Sequence, residues 1–561
     1  MKRTGAEILI KTLLEQGVDT VFGYPGGAVL NIYDEIYKYS DQLTHIITSH
    51  EQGACHAADG YARSSGKVGV VIATSGPGAT NLVTGIATAY LDSTPLVAIT
   101  GNVATSLLGK DSFQEVDISG ITLPVTKHNY IVKDVTKLAG IVRQAFQIAK
   151  SGRPGPVLID IPKDIQAAEC EYTPGEILPK FSPPAPAPED FQKAVDLINA
   201  SEKPFVYCGG GVVLSDSSSS LLKLAEAIDA PVGTSMMGLS AVPRSFPGFV
   251  GMTGMHGRYA ATKSMYESDL ILAIGVRFSD RATGNISKFA PNAKILHIDV
   301  DQAEINKNIP TYHHLLGDIG EILPELLKRL TPKKRPQWHD EVVANKKFEA
   351  DSIVRQEGLT PKKAIEEIRK YTQDDTPVAT DVGQHQMWTT QFYDFEQPRR
   401  FLTSGGLGTM GFGLGAAIGG CIASGKKDTV LITGDGSFHM NLNELATAAS
   451  NGLPIKVFVM DNNVLGMVRQ WQTMFYQKHY SCTTLDKKTD FVLLAQAFGG
   501  TGIRIRNLDE LEDGVKKAFT TLGMVVVDLK IDSDEMVLPM IPPNGSISDI
   551  VLNEKERSHT A

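Results

Sequence analysis

Residues 428–463, DTVLITGDGSFHMNLNELATAASNGLPIKVFVMDNN, decide the fold. An apolar, β-branched run ends in Gly434-Asp435-Gly436, a helical pattern follows, and a second such run ends in Asp461-Asn462-Asn463. Strand, helix and strand of these lengths read as a βαβ unit with parallel neighbouring strands. Ligands of such units bind beyond the carboxyl ends of the strands. Asp435 and Asn462, 27 positions apart, then meet at one edge of the sheet. A carboxylate and a carboxamide are hard oxygen donors that leave room around Mg²⁺ for phosphate oxygens and water. The competing reading is a turn aspartate followed by two turn asparagines.

The same alternation runs outward through the chain: VGVVIAT and TPLVAIT before residue 171, DLILAIG and AKILHID in the middle, and the pair above near the end. It predicts an α/β protein of doubly wound parallel sheets. Six prolines in residues 172–190 read as a linker, and Pro332, Pro336 and Pro361 bracket a charged, helix-compatible stretch at 331–360. The expected organisation is three domains, 1–171, 191–330 and 361–550, with linkers between them and a tail at 551–561. The first and third share glycine-rich turns after buried runs and read as cousins.

The 561 residues suffice for three or four domains, and 42% apolar with 21% charged residues describe an ordinary globular protein. The net charge of −9, with no basic cluster longer than Lys333-Lys334-Arg335, excludes a nucleic-acid footprint. Five scattered cysteines without a CxxC pair suggest neither disulfides nor zinc and fit a reducing compartment. The first 18 residues read as an amphipathic helix rather than a signal peptide, so a cytoplasmic location is expected. Residues 401–425 carry no charge, but nine of them are glycine, which favours a packed turn and helix over a membrane span.

Gly406-Leu407-Gly408-Thr409-Met410-Gly411 is a literal G-x-G-x-x-G, which alone says dinucleotide site. That scheme leaves the Asn pair without a role and needs no metal. Glu51 follows an apolar run and opens a helix of small residues; a carboxyl group there would have a raised pKa and serve proton transfer, or simply favour a helix N-terminus. Ser75-Gly76-Pro77-Gly78 and Gly26-Gly27 let backbone approach a ligand or pack tightly. In the middle segment Gly209, Gly210 and Gly211, then Arg277, Arg281 and Asp299, sit at strand ends and suit an extended phosphorylated cofactor, against a ligand-free scaffold. His50, His56 and His439 lack metal-ligand spacing.

FGYPGGA, SHEQGACHAADGYAR, TSGPGATN, SFQE, GRPGPVLIDIPKD, GVRFSDR, VGQHQMW, TSGGLGTMGFGLGAA, GDGSF and LGMVRQWQ, in that order, resemble the acetohydroxyacid (acetolactate) synthases, specifically their catalytic large subunits. The resemblance spans about Gly5 to Asp549 and implies three domains of the thiamine-diphosphate-enzyme type: pyrimidine-binding, FAD-binding and diphosphate-binding. It implies decarboxylation of pyruvate and carboligation to a second 2-ketoacid, with thiamine diphosphate, Mg²⁺ and FAD as cofactors. By position, Asp435, Asn462 and the Val464 carbonyl would hold Mg²⁺, and Gln384, His385, Gly436 and Ser437 the diphosphate. Gly408, Gly466 and Met467 would lie along the thiamine, and Met410 would wedge it into a bent shape. Glu51 would hydrogen-bond the aminopyrimidine, with Gln114 and Lys163 as further catalytic positions.

Gly26, Gly27, Phe113, Arg281 and Trp471 would meet substrate, Arg281 at the acceptor carboxylate and Trp471 favouring 2-ketobutyrate. Arg153, Gly209, Gly210, Gly211, His256, Arg277, Asp299 and Asp318 would hold FAD, which is usually structural in this family. The G-x-G-x-x-G segment would then face thiamine diphosphate rather than a nicotinamide. One departure is Asp461, where the family commonly has the first Asn of its pair. RFSDR favours the biosynthetic branch over the FAD-free catabolic enzymes. The resemblance further implies a homodimer or homotetramer with Glu51 serving the neighbour's cofactor, a separate regulatory small subunit, and no nucleic-acid or membrane partner. A pyruvate oxidase-type enzyme would share the Glu, the metal pair and FAD; a nicotinamide oxidoreductase or a non-enzymatic scaffold would not.

Overall fold

The computed structural model describes residues 1–352 and 357–553, so residues 353–356 of the expected second linker and 554–561 of the expected tail lie outside the described residues. Three six-stranded sheets form its frame, and every strand pair in them is parallel. The β-branched runs become central strands because both faces are covered: Gly69–Ala73, Leu96–Asn102, Thr429–Gly434 and Ile455–Asp461 are buried at every residue.

Across the first sheet the strands run Thr44–Ile47, Thr20–Gly23, Gly69–Ala73, Leu96–Asn102, Pro156–Pro162, His128–Ile131. The third runs Phe401–Leu402, Val378–Thr380, Thr429–Gly434, Ile455–Asp461, Val525–Lys530, Thr501–Ile505. Numbered from the start of each domain, both orders are 2-1-3-4-6-5, so the two are topological copies. The middle sheet runs Phe249–Met252, Val232–Thr234, Pro204–Cys208, Leu270–Ile274, Lys294–Asp299, His313–Leu316, which is 3-2-1-4-5-6. That is the order of dinucleotide-binding folds. The literal G-x-G-x-x-G therefore sits outside the domain whose topology suits a dinucleotide. Its preceding strand, Phe401–Leu402, does not even neighbour Thr429–Gly434.

Two helices join the first domain to the third. Glu51–Ser65 starts on a cap in which His50 Nδ1 accepts from Gln52 N at 3.1 Å, and it stops at Gly66, whose φ of 76° is left-handed. Phe412–Ala423, the core of the uncharged stretch, is buried nearly throughout and lies against it. Their axes approach closely because glycines face backbone: a Cβ on Gly60 would stand 2.3 Å from Ala416 O, and one on Gly419 1.9 Å from Ala57 O. No helix among the described residues is long and apolar enough to cross a membrane.

The N-terminus differs from the expected single helix. Lys2–Thr4 pairs antiparallel with Glu169–Glu171, and the helix begins at Gly5, where Thr4 Oγ1 accepts from Glu7 N at 3.2 Å. Residues 172–187 hold no helix or strand. Pro336–Ser352 is a helix whose Trp338 is buried in the middle domain and donates Nε1–H to Pro204 O at 2.9 Å.

Candidate active site

The third sheet changes direction of winding between Val378–Thr380 and Thr429–Gly434, and the expected diphosphate and metal residues follow these strands and the next. Asp435 opens a short helix directly after its strand, buried, with Gly436 N donating to Oδ1 at 2.9 Å. Burial, then the neighbouring Asp461, raises its carboxyl group above the ordinary range, so a cation beside it would be stabilising. Asn462 Oδ1 accepts from Val464 N at 3.2 Å, which orients the carboxamide. Gln384 Nε2 donates to Gln470 Oε1 at 3.0 Å and to Glu535 O at 2.9 Å. A Cβ on Gly466 would lie 2.0 Å from Gln384 Oε1, so any other residue here would push that side chain aside. Ser437 Oγ donates to Val382 O at 2.8 Å.

His385 is buried with Nε2 unpartnered, and burial depresses its pKa to about 3, so it is a neutral ring with a free nitrogen. Such an orphaned polar atom fits a phosphate-bearing ligand. Among the described residues no cluster of three His, Cys, Asp or Glu could hold a metal ion by itself. A cation at Asp435, Asn462 and the Val464 carbonyl would therefore complete its shell from water and a bound ligand, as Mg²⁺ does with diphosphates.

The loop carrying Met410 is pinned from the first domain and from within its own. Asp92 Oδ1 and Oδ2 accept from Gly406 N at 2.6 Å and Gly405 N at 3.2 Å, and Arg63, itself paired with Asp59, donates to Asp92 at 2.9 Å. Thr88 and Thr409 share a 2.7 Å hydrogen bond between hydroxyls. Beyond Met410, Gly411 N donates to Asp381 Oδ1 at 2.7 Å and Gly411 O accepts from Asn441 Nδ2 at 2.7 Å. Asp381 is fully buried, which pushes its pKa up to about 6. Neither Asp92, Asp381 nor Asn441 was among the sequence candidates; only Asp381, directly after a strand, carried a usable signal.

A cavity of about 1280 Å³ lies between the middle and third domains, edged by the first. Gly408, Met410, Met467 and Trp471 line one part; Arg153, Gly210, Gly211, His256, Arg277, Asp299 and Asp318 line another, with Arg281 between. The Arg281 guanidinium stands 5.7 Å from the Trp471 ring centroid. Gly210 and Arg277 follow the two strands where the middle sheet reverses its winding, the position expected of a dinucleotide. Two buried polar atoms in this cavity lack protein partners, His256 Nδ1 and Glu304 Oε2. Glu304 Oε1 accepts from Arg153 Nη1 at 2.9 Å, and Asp318 accepts from Gly320 N at 2.9 Å and Lys180 Nζ at 2.5 Å. The residues fit an extended polar cofactor such as FAD. Gly209 does not line the cavity, and a Cβ on it would stand 1.9 Å from Gly275 O, so its missing side chain lets the two strand ends pack closely.

The remaining candidates gather on the first domain. Gly26 and Gly27, Glu51 and Lys163 follow the carboxyl ends of its strands, and Phe113 and Gln114 lie in the loop after Leu96–Asn102. Glu51 Oε2 accepts from Asn81 Nδ2 at 2.9 Å. Gly26 packs on Thr74, Gly27 faces open space, and a Cβ on Gly76 would stand 2.9 Å from Gln114 O. Lys163 is exposed, and Phe113 is 87% exposed. None of these residues lines the cavity described above.

Three family models match the chain: the N-terminal thiamine pyrophosphate binding domain over residues 3–121, the central thiamine pyrophosphate enzyme domain over 191–326, and the C-terminal thiamine pyrophosphate binding domain over 381–529. The chain is 45% identical to the acetolactate synthase large subunit of Corynebacterium glutamicum, covering 98% of this chain and 90% of that protein. It is 44% identical to the probable acetolactate synthase large subunit of Methanocaldococcus jannaschii, covering 98% and 95%. To the acetolactate synthase isozyme 3 large subunit of Escherichia coli K12 it is 42% identical, over 99% of both chains.

Proposed function

The chain belongs to the acetolactate synthase large subunits, a family of thiamine pyrophosphate enzymes, and on that footing we propose that it decarboxylates pyruvate and joins the two-carbon remainder to a second 2-ketoacid. With pyruvate as acceptor the product is 2-acetolactate; with 2-ketobutyrate it is 2-aceto-2-hydroxybutyrate, both precursors of branched-chain amino acids. The observation that carries the reading is the placement of Asp435 and Asn462 at the ends of adjacent parallel strands, with Gln384 and His385 across the winding switch. The relatives' names favour the synthase over a pyruvate oxidase-type enzyme.

Thiamine pyrophosphate, when bound, supplies the electron sink for breaking and forming the bonds to carbon. Asp435, Asn462 and the Val464 carbonyl hold Mg²⁺, and Gln384, His385, Gly436 and Ser437 hold the diphosphate. Met410, on its pinned loop, props the cofactor, with Gly408, Gly466 and Met467 alongside. Glu51 holds a proton at the aminopyrimidine. Arg281 receives the acceptor carboxylate, and Trp471 shapes the pocket for its side chain. Arg153, Gly210, Gly211, His256, Arg277, Asp299 and Asp318 hold FAD as a structural group. Glu51, Gly26, Gly27, Phe113, Gln114 and Lys163 complete the site of a second copy; that none of them lines the chain's own cavity, and the exposure of Phe113, support a homodimer or homotetramer. The large-subunit names of the relatives support a separate small regulatory subunit, and five free cysteines support a cytoplasmic location.

The test is incubation with pyruvate, thiamine pyrophosphate and Mg²⁺, with and without 2-ketobutyrate, following both acetohydroxyacids and the flavin spectrum. Acetolactate formed with the flavin unbleached is the expected result. Stoichiometric flavin reduction without acetolactate would overturn the reading.

A further inference from the structure

The helix that begins with Glu51 takes its N-terminal support from another domain. Ser49 N donates to Glu444 Oε2 at 3.1 Å and His50 N to Glu444 Oε1 at 2.9 Å, so one carboxylate of the third domain receives the last two backbone N–H groups before Glu51. Ser49 Oγ adds a 2.9 Å bond to Asn443 O, and Thr447 Oγ1 donates to Glu444 Oε2 at 2.5 Å. Glu444 is fully buried. Gly53, one helical turn along, makes room for it: a Cβ there would lie 2.2 Å from Glu444 Oε1. A carboxylate at a helix N-terminus is favoured by the exposed N–H groups and the helix dipole, and bonds to an ionised acceptor are the stronger kind.

We propose that Glu444 is a positioning residue for Glu51: it sets the direction in which the Glu51 carboxyl group leaves its helix, and thereby its reach toward the cofactor. His50 immediately precedes Glu51, so a tilt of the Ser49–His50 peptide passes through the His50 Cα to the peptide that carries Glu51 and turns its Cα–Cβ bond. A shift of about 1 Å in a reacting group can cost on the order of a hundredfold in rate. The inference rests on the reading of Glu51 given above.

Two variants reach the contact from opposite sides. Glu444→Gln keeps the size and one acceptor oxygen but removes the charge, and Gly53→Ala displaces an unaltered Glu444. Each would be made in the full-length protein, and either folded variant decides the question. In the cofactor-free protein, amide hydrogen exchange at Ser49 and His50 should quicken. In protein loaded with thiamine pyrophosphate and Mg²⁺, exchange of the cofactor's C2 proton should slow about tenfold or more, while cofactor affinity stays near wild type. Simple domain glue would lower the melting temperature and leave C2 exchange unchanged, and that result overturns the inference. Glu51→Gln is run beside them. If it too leaves C2 exchange unchanged, the assignment of Glu51 itself has failed and takes this inference with it; if it alone slows exchange, only the inference falls.

Discussion

Lys530 faces Asp461 across adjacent parallel strands, at paired positions of Val525–Lys530 and Ile455–Asp461, and its ammonium is in direct contact with the carboxylate. The same ammonium lies 3.1 Å from Asp528. The negative charge that Asp461 brings beside Asp435 is thus balanced within the sheet. Lys530→Met should leave Asp461 as a buried, uncompensated charge. Because the lysine is itself partly exposed, the expected loss is about 1–2 kcal/mol in urea denaturation of the cofactor-free protein. Adding Asp461→Asn should recover most of it; a double variant no more stable than Lys530→Met would show that the pair is not coupled.

Glu51→Gln should slow exchange of the cofactor's C2 proton by at least about tenfold, general acid-base groups usually contributing about a hundredfold or more. Thiamine pyrophosphate affinity should change little, because the residues proposed to hold the diphosphate lie in the third domain. Quenched-flow exchange read by NMR distinguishes this from a binding defect, in which exchange would recover at saturating cofactor.

Trp471→Leu should alter acceptor choice rather than rate. Opening the pocket beside Arg281 removes the surface that would favour a longer acyl chain, and one methylene is worth about 1–3 kcal/mol in a well-shaped pocket. With pyruvate and 2-ketobutyrate competing, the ratio of acetohydroxybutyrate to acetolactate should fall about tenfold or more. An unchanged ratio removes Trp471 from acceptor selection.

His56 is buried edge-on to Phe412, and burial depresses its pKa to about 3 from an ordinary 6.5. The native protein keeps it neutral, whereas the unfolded chain takes up a proton. Its contribution to stability is therefore whole above pH 6.5 and is lost as pH falls from there toward 3. Against His56→Gln, the wild type should lose ground between pH 7 and 5 by up to about 1.4 kcal/mol per pH unit. A difference independent of pH would mean that the native imidazole is not held neutral.

Much of the fold is legible in the sequence. Strand ends were marked by β-branched runs meeting glycine, and the βαβ spacing brought Asp435 and Asn462 to adjacent strands because period and length leave little freedom. The middle domain was harder, since its dinucleotide topology lies in strand order, which local pattern does not encode; meanwhile a literal fingerprint stood in the wrong domain. Glu444, Asp92 and Asp381 escaped for a different reason. Their partners across the fold lie far off in sequence, with Glu444 and His50 separated by 394 positions, and a carboxylate that receives distant backbone N–H groups leaves no motif. Gly209 shows the converse limit: ligand approach and strand packing ask for the same missing Cβ.

The seam between Glu51–Ser65 and Phe412–Ala423 bears on how such enzymes can be recombined. Gly60 and Gly419 on its two faces each admit opposing backbone that a single methyl group would block. At its end Gly53 makes room for the Glu444 side chain, which a methyl group would displace. Each face therefore requires the small residues of the other. A chimaera joining the first domain of one relative to the third domain of another should assemble only where both parents carry the small residues of this seam, however similar their remaining surfaces are.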